Sequence, residues 1–435
     1  MSIYLVILAG GKGTRLRGKL QNGCPKPLVN IGDRPLLDYQ LLLAKRYGIK
    51  RVYLMVGYGA QRIRDYCGDG SKWGLEIVYH EETEPLGTAG SVINILDKLP
   101  ETFIVMYGDT MLDVDLSNFW RLHKSKRADI TVFLHPNDHP YDSDLVEVDL
   151  NGNIVAFHSY PHPHSACLQN LANASLYVIN RNILRKIEYD GGMLDFCKQL
   201  FPYLLLKGTN FYGYNGIEYI KDVGTPERLI AVERDLVSGK IARRNLNSSK
   251  KAIFLDRDGT INDKIDYVID ESQMFLLPGV VSAIKSINQS EYLAIVITNQ
   301  PVIARGDVDE HKLQKIHNRM EWLLGQHKAF IDRIYFCPHH PDSGFVGERK
   351  EYKKACVCRK PKFGLIKQAV KELGLDLSQS WFIGDSTVDI ETARRAGIKS
   401  ILLNTGYAGK DGKFKCCPDF VFANLQEAVN FILSL

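Results

Sequence analysis

Short apolar runs alternate with longer amphipathic stretches along nearly the whole chain. The runs fall at residues 4–9, 51–56, 103–107 and 130–134, and again at 252–255, 293–298, 380–383 and 401–403. Runs this short, apolar without alternation, predict strands buried on both faces of a parallel sheet. The stretches between them carry helical spacing. The pattern therefore predicts an α/β chain with two doubly wound, mainly parallel sheets. It breaks once, at the polar stretch 243–251, just before a fresh strand. We place a first domain at 1–240, a linker at 241–251 and a second domain at 252–435. The length of 435 residues agrees, because one hydrophobic core stops growing at about 250–300 residues. Residues 425–432 repeat apolar side chains at helical spacing and predict a packed final helix.

Composition changes this picture little. The chain is 45% hydrophobic and 24% charged, as ordinary globular proteins are. Its formal charge of +5 is small, and no dense basic run is interleaved with aromatics. That argues against a nucleic-acid partner. The first apolar run is too short to span a membrane and lacks the flanks of a signal peptide. Nine cysteines are an odd count, and Cys337, Cys356 and Cys358 lie close together with histidines between them. This fits metal binding in a reducing compartment better than a disulfide framework, so we expect a cytoplasmic protein. The composition also allows a homo-oligomer.

Candidate chemistry begins after the first strand, at Gly10-Gly11-Lys12-Gly13-Thr14-Arg15-Leu16. Glycines after a buried strand let the backbone approach phosphates, and a helix opening near Thr14 would add its positive end. The spacing is neither that of a P-loop nor that of the dinucleotide fingerprint. Lys26 follows, held stiffly between Pro25 and Pro27. A second glycine-rich loop, from Glu84 to Ser91, leads into a helix. Asp109 ends the strand at 103–107, and Asp222 precedes a turn at Gly224-Thr225-Pro226. Carboxyl ends of parallel strands are where open α/β sheets bind ligands.

In this order the motifs resemble the sugar-1-phosphate nucleotidyltransferases, over about residues 1–240. The resemblance implies that Gly10, Gly11, Gly13, Thr14, Arg15 and Lys26 hold nucleotide phosphates. Glu84, Gly87, Thr88 and Gly90 would face base or sugar, and Asn173 the sugar. Ser175 stands where the family commonly has glycine. Asp109 and Asp222 would share Mg²⁺. The sugar phosphate is the nucleophile in such a reaction, so the protein's work is positioning and charge stabilisation, with Arg15 and Lys26 as catalytic cations. The polar stretch 18–23 departs from simpler relatives.

The strand at 252–255 delivers Asp256-Arg257-Asp258-Gly259-Thr260. Two carboxylates two residues apart on an extended chain are expected to point into one site. With Thr298 at a strand end, Lys360, and Asp385 to Asp389, the set resembles the haloacid-dehalogenase phosphatases. The resemblance implies Asp256 as nucleophile and Asp258 as general acid and base. Thr298 and Lys360 would hold phosphoryl oxygens. Asp256, Asp385 and the backbone carbonyl of Asp258 would bind Mg²⁺. Asp389 reads equally as a site residue and as an acid that starts a helix.

Cys337-Pro338-His339-His340 and Cys356-Val357-Cys358 supply four zinc ligands, with Cys337, His339, Cys356 and Cys358 the best set and His340 a substitute. Such a closed set is expected to be structural, and it would anchor the loop carrying Arg359 and Lys360. This zinc-loop version resembles the heptose 1,7-bisphosphate phosphatases and the histidinol-phosphate phosphatases. Thr298-Asn299-Gln300 followed by Arg305 and Gly306 fits the heptose group, although Pro301 replaces an expected small residue. Asn299, Gln300, Arg305 and Arg359 would then contact substrate. His158, His162 and His164 lack acidic or thiol companions and read as a solvated loop.

The combination suggests one pathway. The rear domain would remove the 7-phosphate of D-glycero-D-manno-heptose 1,7-bisphosphate. The front domain would then transfer GMP from GTP to heptose 1-phosphate, with Mg²⁺ in both domains and structural Zn²⁺ in the second. GTP follows from resemblance to the heptose-1-phosphate guanylyltransferases. One rival is a mannose-1-phosphate guanylyltransferase fused to a histidinol-phosphate or other phosphosugar phosphatase. Another is a non-catalytic sugar-nucleotide sensor, which would have no need of Arg15, Lys26, Asp109 and Asp222 together.

Overall fold

The computed structural model describes residues 3–11, 13, 23–163 and 167–435. Thr14, Arg15, the helix expected near them and His164 lie outside the described residues. The chain divides into two units. One comprises Met1–His135, Ser143–Tyr160 and Leu171–Leu246; the other comprises Pro136–Asp142, Pro161–Asn170 and Asn247–Leu435. The stretch expected to be a linker is structured. Lys240–Arg244 is a helix that buries Ile241, and Asn245 Nδ2 donates to Asp113 Oδ1 at 2.9 Å. It has one buried apolar anchor among polar residues, which is why the sequence reads as a polar break.

In the first unit the main sheet runs, edge to edge, through Ile154–His158, Leu145–Val148, Ala172–Asn180, Thr102–Tyr107, Tyr4–Leu8, Arg51–Val56 and Glu76–Glu81. Ile130–His135 pairs with Ala172–Asn180 and carries Phe211–Asn215. Tyr4–Leu8 lies parallel to both its neighbours, with Leu5 opposite Val52 and Ile104. Leu5 and Ile7 pack into one core and Val6 into another, all fully buried. That two-sided burial is what the unbroken apolar run signals. The strand Ala172–Asn180 runs antiparallel to Thr102–Tyr107, and its pairing with Ile130–His135 shifts register between Asn173 and Tyr177. Within that irregularity Ser175 takes φ +56. The left-handed region suits glycine, which accounts physically for glycine being common at this position.

The second unit contains a six-stranded parallel sheet, in the order Arg333–Cys337, Tyr292–Asn299, Lys251–Leu255, Trp381–Gly384, Lys399–Leu403 and Phe420–Phe422. Numbered along the chain, this order is 3-2-1-4-5-6. The connections change direction between Lys251–Leu255 and Trp381–Gly384, leaving a crevice at the carboxyl ends of those strands. The parallel part of the first sheet does the same between Tyr4–Leu8 and Thr102–Tyr107. The final helix spans Leu425–Ser434 and packs Leu425, Ala428, Val429 and Ile432 into the core. No described helix is long and apolar enough to cross a membrane.

Candidate active sites

Each crevice holds chemistry-bearing side chains. In the first unit a cavity of about 410 Å³ is lined by Gly10, Gly11, Gly13, Lys26, Gly87, Thr88, Tyr107 and Asp109, among others. The backbone turns tightly here. Tyr58 N donates to Gly10 O at 3.2 Å, and a Cβ on Gly10 would press on Gly57 N at 3.4 Å. Gly11 lines the cavity, with open space among the described residues where a side chain would be. Lys26 is buried and pairs with Asp109, Nζ to Oδ2 2.6 Å. Thr110–Asp113 pairs antiparallel with Tyr219–Asp222 so that Thr110 opposes Asp222, and Val223 N donates to Asp109 O at 2.8 Å. This brings Asp222 beside Asp109. Asp222 receives Arg228 Nη1 at 2.8 Å. Both acids are thus charge-balanced by protein cations.

Of the other expected contacts, Gly87 and Thr88 line the cavity, whereas Glu84, Gly90 and Asn173 do not. Glu84 is exposed, and Glu82 and Pro85 line the cavity instead. Gly87 takes φ +74, and a Cβ there would lie 2.5 Å from Leu194 O. A Cβ on Gly90 would strike the Tyr189 hydroxyl. These glycines allow close packing of the helix Gly87–Asn94. Thr88 lines the cavity, but its hydroxyl donates to Asp195 Oδ2 at 2.9 Å and accepts from Phe196 N at 2.9 Å. Asn173 is not in the cavity wall; its amide donates to the Tyr177 hydroxyl at 3.0 Å and to Cys197 Sγ. Tyr177 packs edge-on against Tyr107, which does line the cavity. Tyr107 and Glu82 carried no motif, and only their adjacency to Gly108-Asp109 and Glu84 marked them in the sequence.

In the second unit Asp256, Asp385 and Asp389 bring carboxylate oxygens within 4.8 Å of one another. Lys360 Nζ lies 2.8 Å from Asp256 Oδ1 and 2.6 Å from Asp389 Oδ1. Asp389 both opens the helix Thr387–Ala396, accepting from Ser386 N and Oγ, and anchors Lys360. It belongs in the site, and the sequence left that open because a capping acid and a site acid look alike. Burial pushes the Asp256 carboxyl up to about 6, against the pull of Lys360. Burial and then the charges of Asp256 and Asp389 push Asp385 to about 8. Three converging carboxylates, two of them buried, against one ammonium leave negative charge unmatched. That imbalance fits Mg²⁺.

The carboxylate of Asp258 is not part of that group, contrary to the expectation that both acids turn the same way. Fully buried Arg257 grips it with Nε and Nη2, at 2.9–3.1 Å, while Asn262 and Gln300 donate to it at 3.0 Å. Burial alone would raise its pKa, but these donors outweigh burial and hold it below the usual carboxylate range. Gln300 Nε2 also reaches Thr298 Oγ1 at 2.9 Å. Asn299 exchanges two hydrogen bonds with the Lys360 backbone, at 2.9 and 3.2 Å, and so fixes the loop that aims the lysine. Arg359 Nη1 donates to His339 O at 3.2 Å.

Cys337, His339, Cys356 and Cys358 form a second metal-competent group. The three sulfurs lie 3.2–3.5 Å apart, and His339 Nδ1 lies 3.3 Å from Cys358 and 3.7 Å from Cys337. A disulfide needs about 2.05 Å. A zinc tetrahedron with Zn–S of about 2.3 Å has edges of about 3.8 Å, so the spacing fits four ligands around one ion. Hydrogen bonding from Cys337, helped by Cys356 and His339, holds the Cys358 thiol down to about 5 despite burial. His340 Nδ1 instead accepts from Asp342 N at 3.2 Å.

Comparison with known proteins matches residues 4–239 to the nucleotidyl transferase family and residues 357–428 to a HAD-hydrolase-like family. The rear of the chain is 38% identical to D-glycero-beta-D-manno-heptose-1,7-bisphosphate 7-phosphatase of Haemophilus ducreyi, over 42% of this chain and 98% of that protein. A second relative is mannose-1-phosphate guanylyltransferase of Mycobacterium tuberculosis, 36% identical over 54% of this chain and 64% of that one. The solved structure of HddC from Yersinia pseudotuberculosis is 25% identical, with a TM-score of 0.46, over 54% of this chain and 99% of that chain.

Proposed function

We propose two successive reactions for this chain, which belongs to the nucleotidyl transferase family in its front half and to the heptose-1,7-bisphosphate 7-phosphatase family in its rear half. The second unit hydrolyses the 7-phosphate of D-glycero-D-manno-heptose 1,7-bisphosphate. The first transfers GMP from GTP to the resulting heptose 1-phosphate, giving GDP-heptose and pyrophosphate. The observation that carries the phosphatase assignment is the convergence of Asp256, Lys360, Asp389 and Asp385 at the switch point of the parallel sheet. The match along nearly the whole phosphatase relative supports heptose as its sugar.

Asp256 attacks phosphorus as the bond to the sugar oxygen breaks, leaving an aspartyl-phosphate that water then hydrolyses. Lys360, ion-paired to Asp256, is placed to neutralise phosphoryl oxygens, and Thr298 supplies a hydroxyl beside them. Asp258 gives the leaving oxygen its proton and later takes one from water. Arg257 keeps it ionised in the free enzyme; an arriving phosphate, of like charge, raises its affinity for a proton. Asp256, Asp385 and the Asp258 carbonyl would hold Mg²⁺, with Asp389 beside them. When bound, the ion screens substrate charge from the attacking carboxylate.

In the first unit Gly10, Gly11 and Gly13 turn bare backbone toward the triphosphate, and Lys26 with Arg15 stabilises charge on the transferred group. Asp109 and Asp222 would hold the ion there. The guanylyltransferase relative favours mannose 1-phosphate as a second reading of this half. Purified protein supplied with each of four nucleoside triphosphates, and with heptose 1-phosphate or mannose 1-phosphate, tests both. GDP-heptose by mass spectrometry is the expected product; GDP-mannose formed in preference would replace heptose in the front half.

A further inference from the structure

Beside the phosphatase residues an arginine is covered by two aromatic rings from distant parts of the chain. The Arg305 guanidinium carbon lies 4.2 Å from the Tyr267 ring centre and 4.5 Å from that of Phe345. Lys353 Nζ lies 4.6 Å from the same Phe345 ring. Arg305 ends the short helix Val302–Arg305, which begins two residues after Gln300, one of the donors to Asp258. Phe345 belongs to the insert between His339 and Cys356, within the zinc loop. That insert is seated on the helix: Arg349 N donates to Ala304 O at 3.1 Å, and a Cβ on Gly306 would run into Gly347 O. Tyr267 reaches in from the segment after the nucleophile loop. The Arg305 side chain keeps 23% exposure, with Asp307 at 3.2 Å as its ion-pair partner.

We infer that Tyr267 and Phe345 are positioning residues that hold Arg305 to receive the second phosphate of a bisphosphorylated sugar, the one that is not hydrolysed. This rests on the phosphatase reading above. The ring faces attract the cation and displace water from it, so its charge is less screened toward an anion. They also restrict a long side chain before ligand arrives, which removes part of the ordering cost of binding. Lys353, on the same Phe345 ring, is ion-paired with Glu348 at 3.3 Å, so each cation of the cluster carries one carboxylate that an arriving phosphate would have to displace or outcompete. The site selects for a phosphate at the far end of the substrate without touching the reacting one.

The test compares phosphate release from heptose 1,7-bisphosphate and from heptose 7-phosphate, which lacks the remote group. For Tyr267→Ala and Phe345→Ala, KM for the bisphosphate should rise about tenfold, the loss expected for one desolvated cation–ring contact. Its kcat should stay within about twofold, as for lost uniform binding. Both constants for the 7-phosphate should hold, and Tyr267→Phe should behave as the parent. Zinc content is measured on each variant; if Phe345→Ala loses zinc, Tyr267→Ala, outside the zinc loop, decides. An equal KM rise on both substrates, or none on either, overturns the positioning role. A parent enzyme with no preference for the bisphosphate overturns the second-phosphate site, and one that releases phosphate from neither compound overturns the phosphatase reading itself.

Discussion

Asp389→Asn separates two roles that meet in one side chain. Asp389 Oδ1 accepts from Lys360 Nζ at 2.6 Å, and Oδ2 accepts from Ser386 Oγ at 2.6 Å and Ser386 N at 3.1 Å. An amide has a single oxygen. Turned toward Ser386, it keeps the helix cap but sets an NH₂ against an ammonium. Turned toward Lys360, it keeps that contact but sets N–H against N–H at the cap. Either way one charge-assisted hydrogen bond is lost, at a side chain that is itself fully buried. The second unit should lose about 1.5–3 kcal/mol, the range for a hydrogen bond to a charged group. Lys360 would retain only Asp256, 2.8 Å away, as its carboxylate partner. A displacement of about 1 Å in such a group costs about 100-fold in rate, so kcat for phosphate release should fall by about that factor. Urea unfolding followed by tryptophan fluorescence gives the stability, and a phosphate-release assay corrected for folded fraction gives kcat. A variant that loses stability but keeps kcat per folded chain within about threefold would refute the reasoning, since Asp389 would then only start its helix.

Cys356→Ser should lose about one zinc per chain by elemental analysis and weaken the phosphatase by loosening the loop that carries Lys360; full metal content would remove Cys356 from the ligand set. Gly87→Ala should disable nucleotide transfer while sparing phosphate release, because φ is +74 and the new Cβ would sit 2.5 Å from Leu194 O; unchanged pyrophosphate release would show that the loop can shift. His317 is buried, and burial followed by the charge of Arg257 pushes its pKa down to about 3. The folded chain therefore refuses a proton that the unfolded chain binds below pH about 6.5, so stability is full above that pH and is lost as pH falls toward about 3. His317→Gln should flatten that slope in urea midpoints taken across the range, and an unaltered slope would mean that another group titrates.

Most strands were legible because buried parallel strands leave unbroken apolar runs, as at Tyr4–Leu8 and Lys251–Leu255. Ala172–Asn180 was not. It begins with small and polar residues, and its irregular pairing around Ser175 breaks the period on which a strand reading depends. Site residues were legible where chemistry demands a residue type at a strand end, as with Asp109, Asp256 and Asp385. They were illegible where a tertiary contact decides. Nothing in the sequence shows that Arg257 draws the Asp258 carboxylate away from Asp256, since period-two spacing gives only the direction of Cβ. Asn173 sits in that same unmarked strand, and Tyr177 and Cys197 take its amide away from the cavity wall. The metal-competent group of Cys337, His339, Cys356 and Cys358 was legible, because Cys-x-His and Cys-x-Cys each pair two donors locally, although the fold alone brings the two pairs together.

The central claim, two consecutive reactions in one chain, is tested most directly by complementation. Asp256→Asn should lack phosphate release but still convert heptose 1-phosphate and GTP to GDP-heptose. Asp109→Ala should do the reverse and accumulate heptose 1-phosphate from the bisphosphate. Mixed in one vessel with heptose 1,7-bisphosphate, GTP and Mg²⁺, the two variants are expected to restore GDP-heptose, with phosphate appearing before pyrophosphate. Heptose 1-phosphate failing to appear with Asp109→Ala, while the parent enzyme still makes GDP-heptose from the bisphosphate, would contradict the proposed order of reactions.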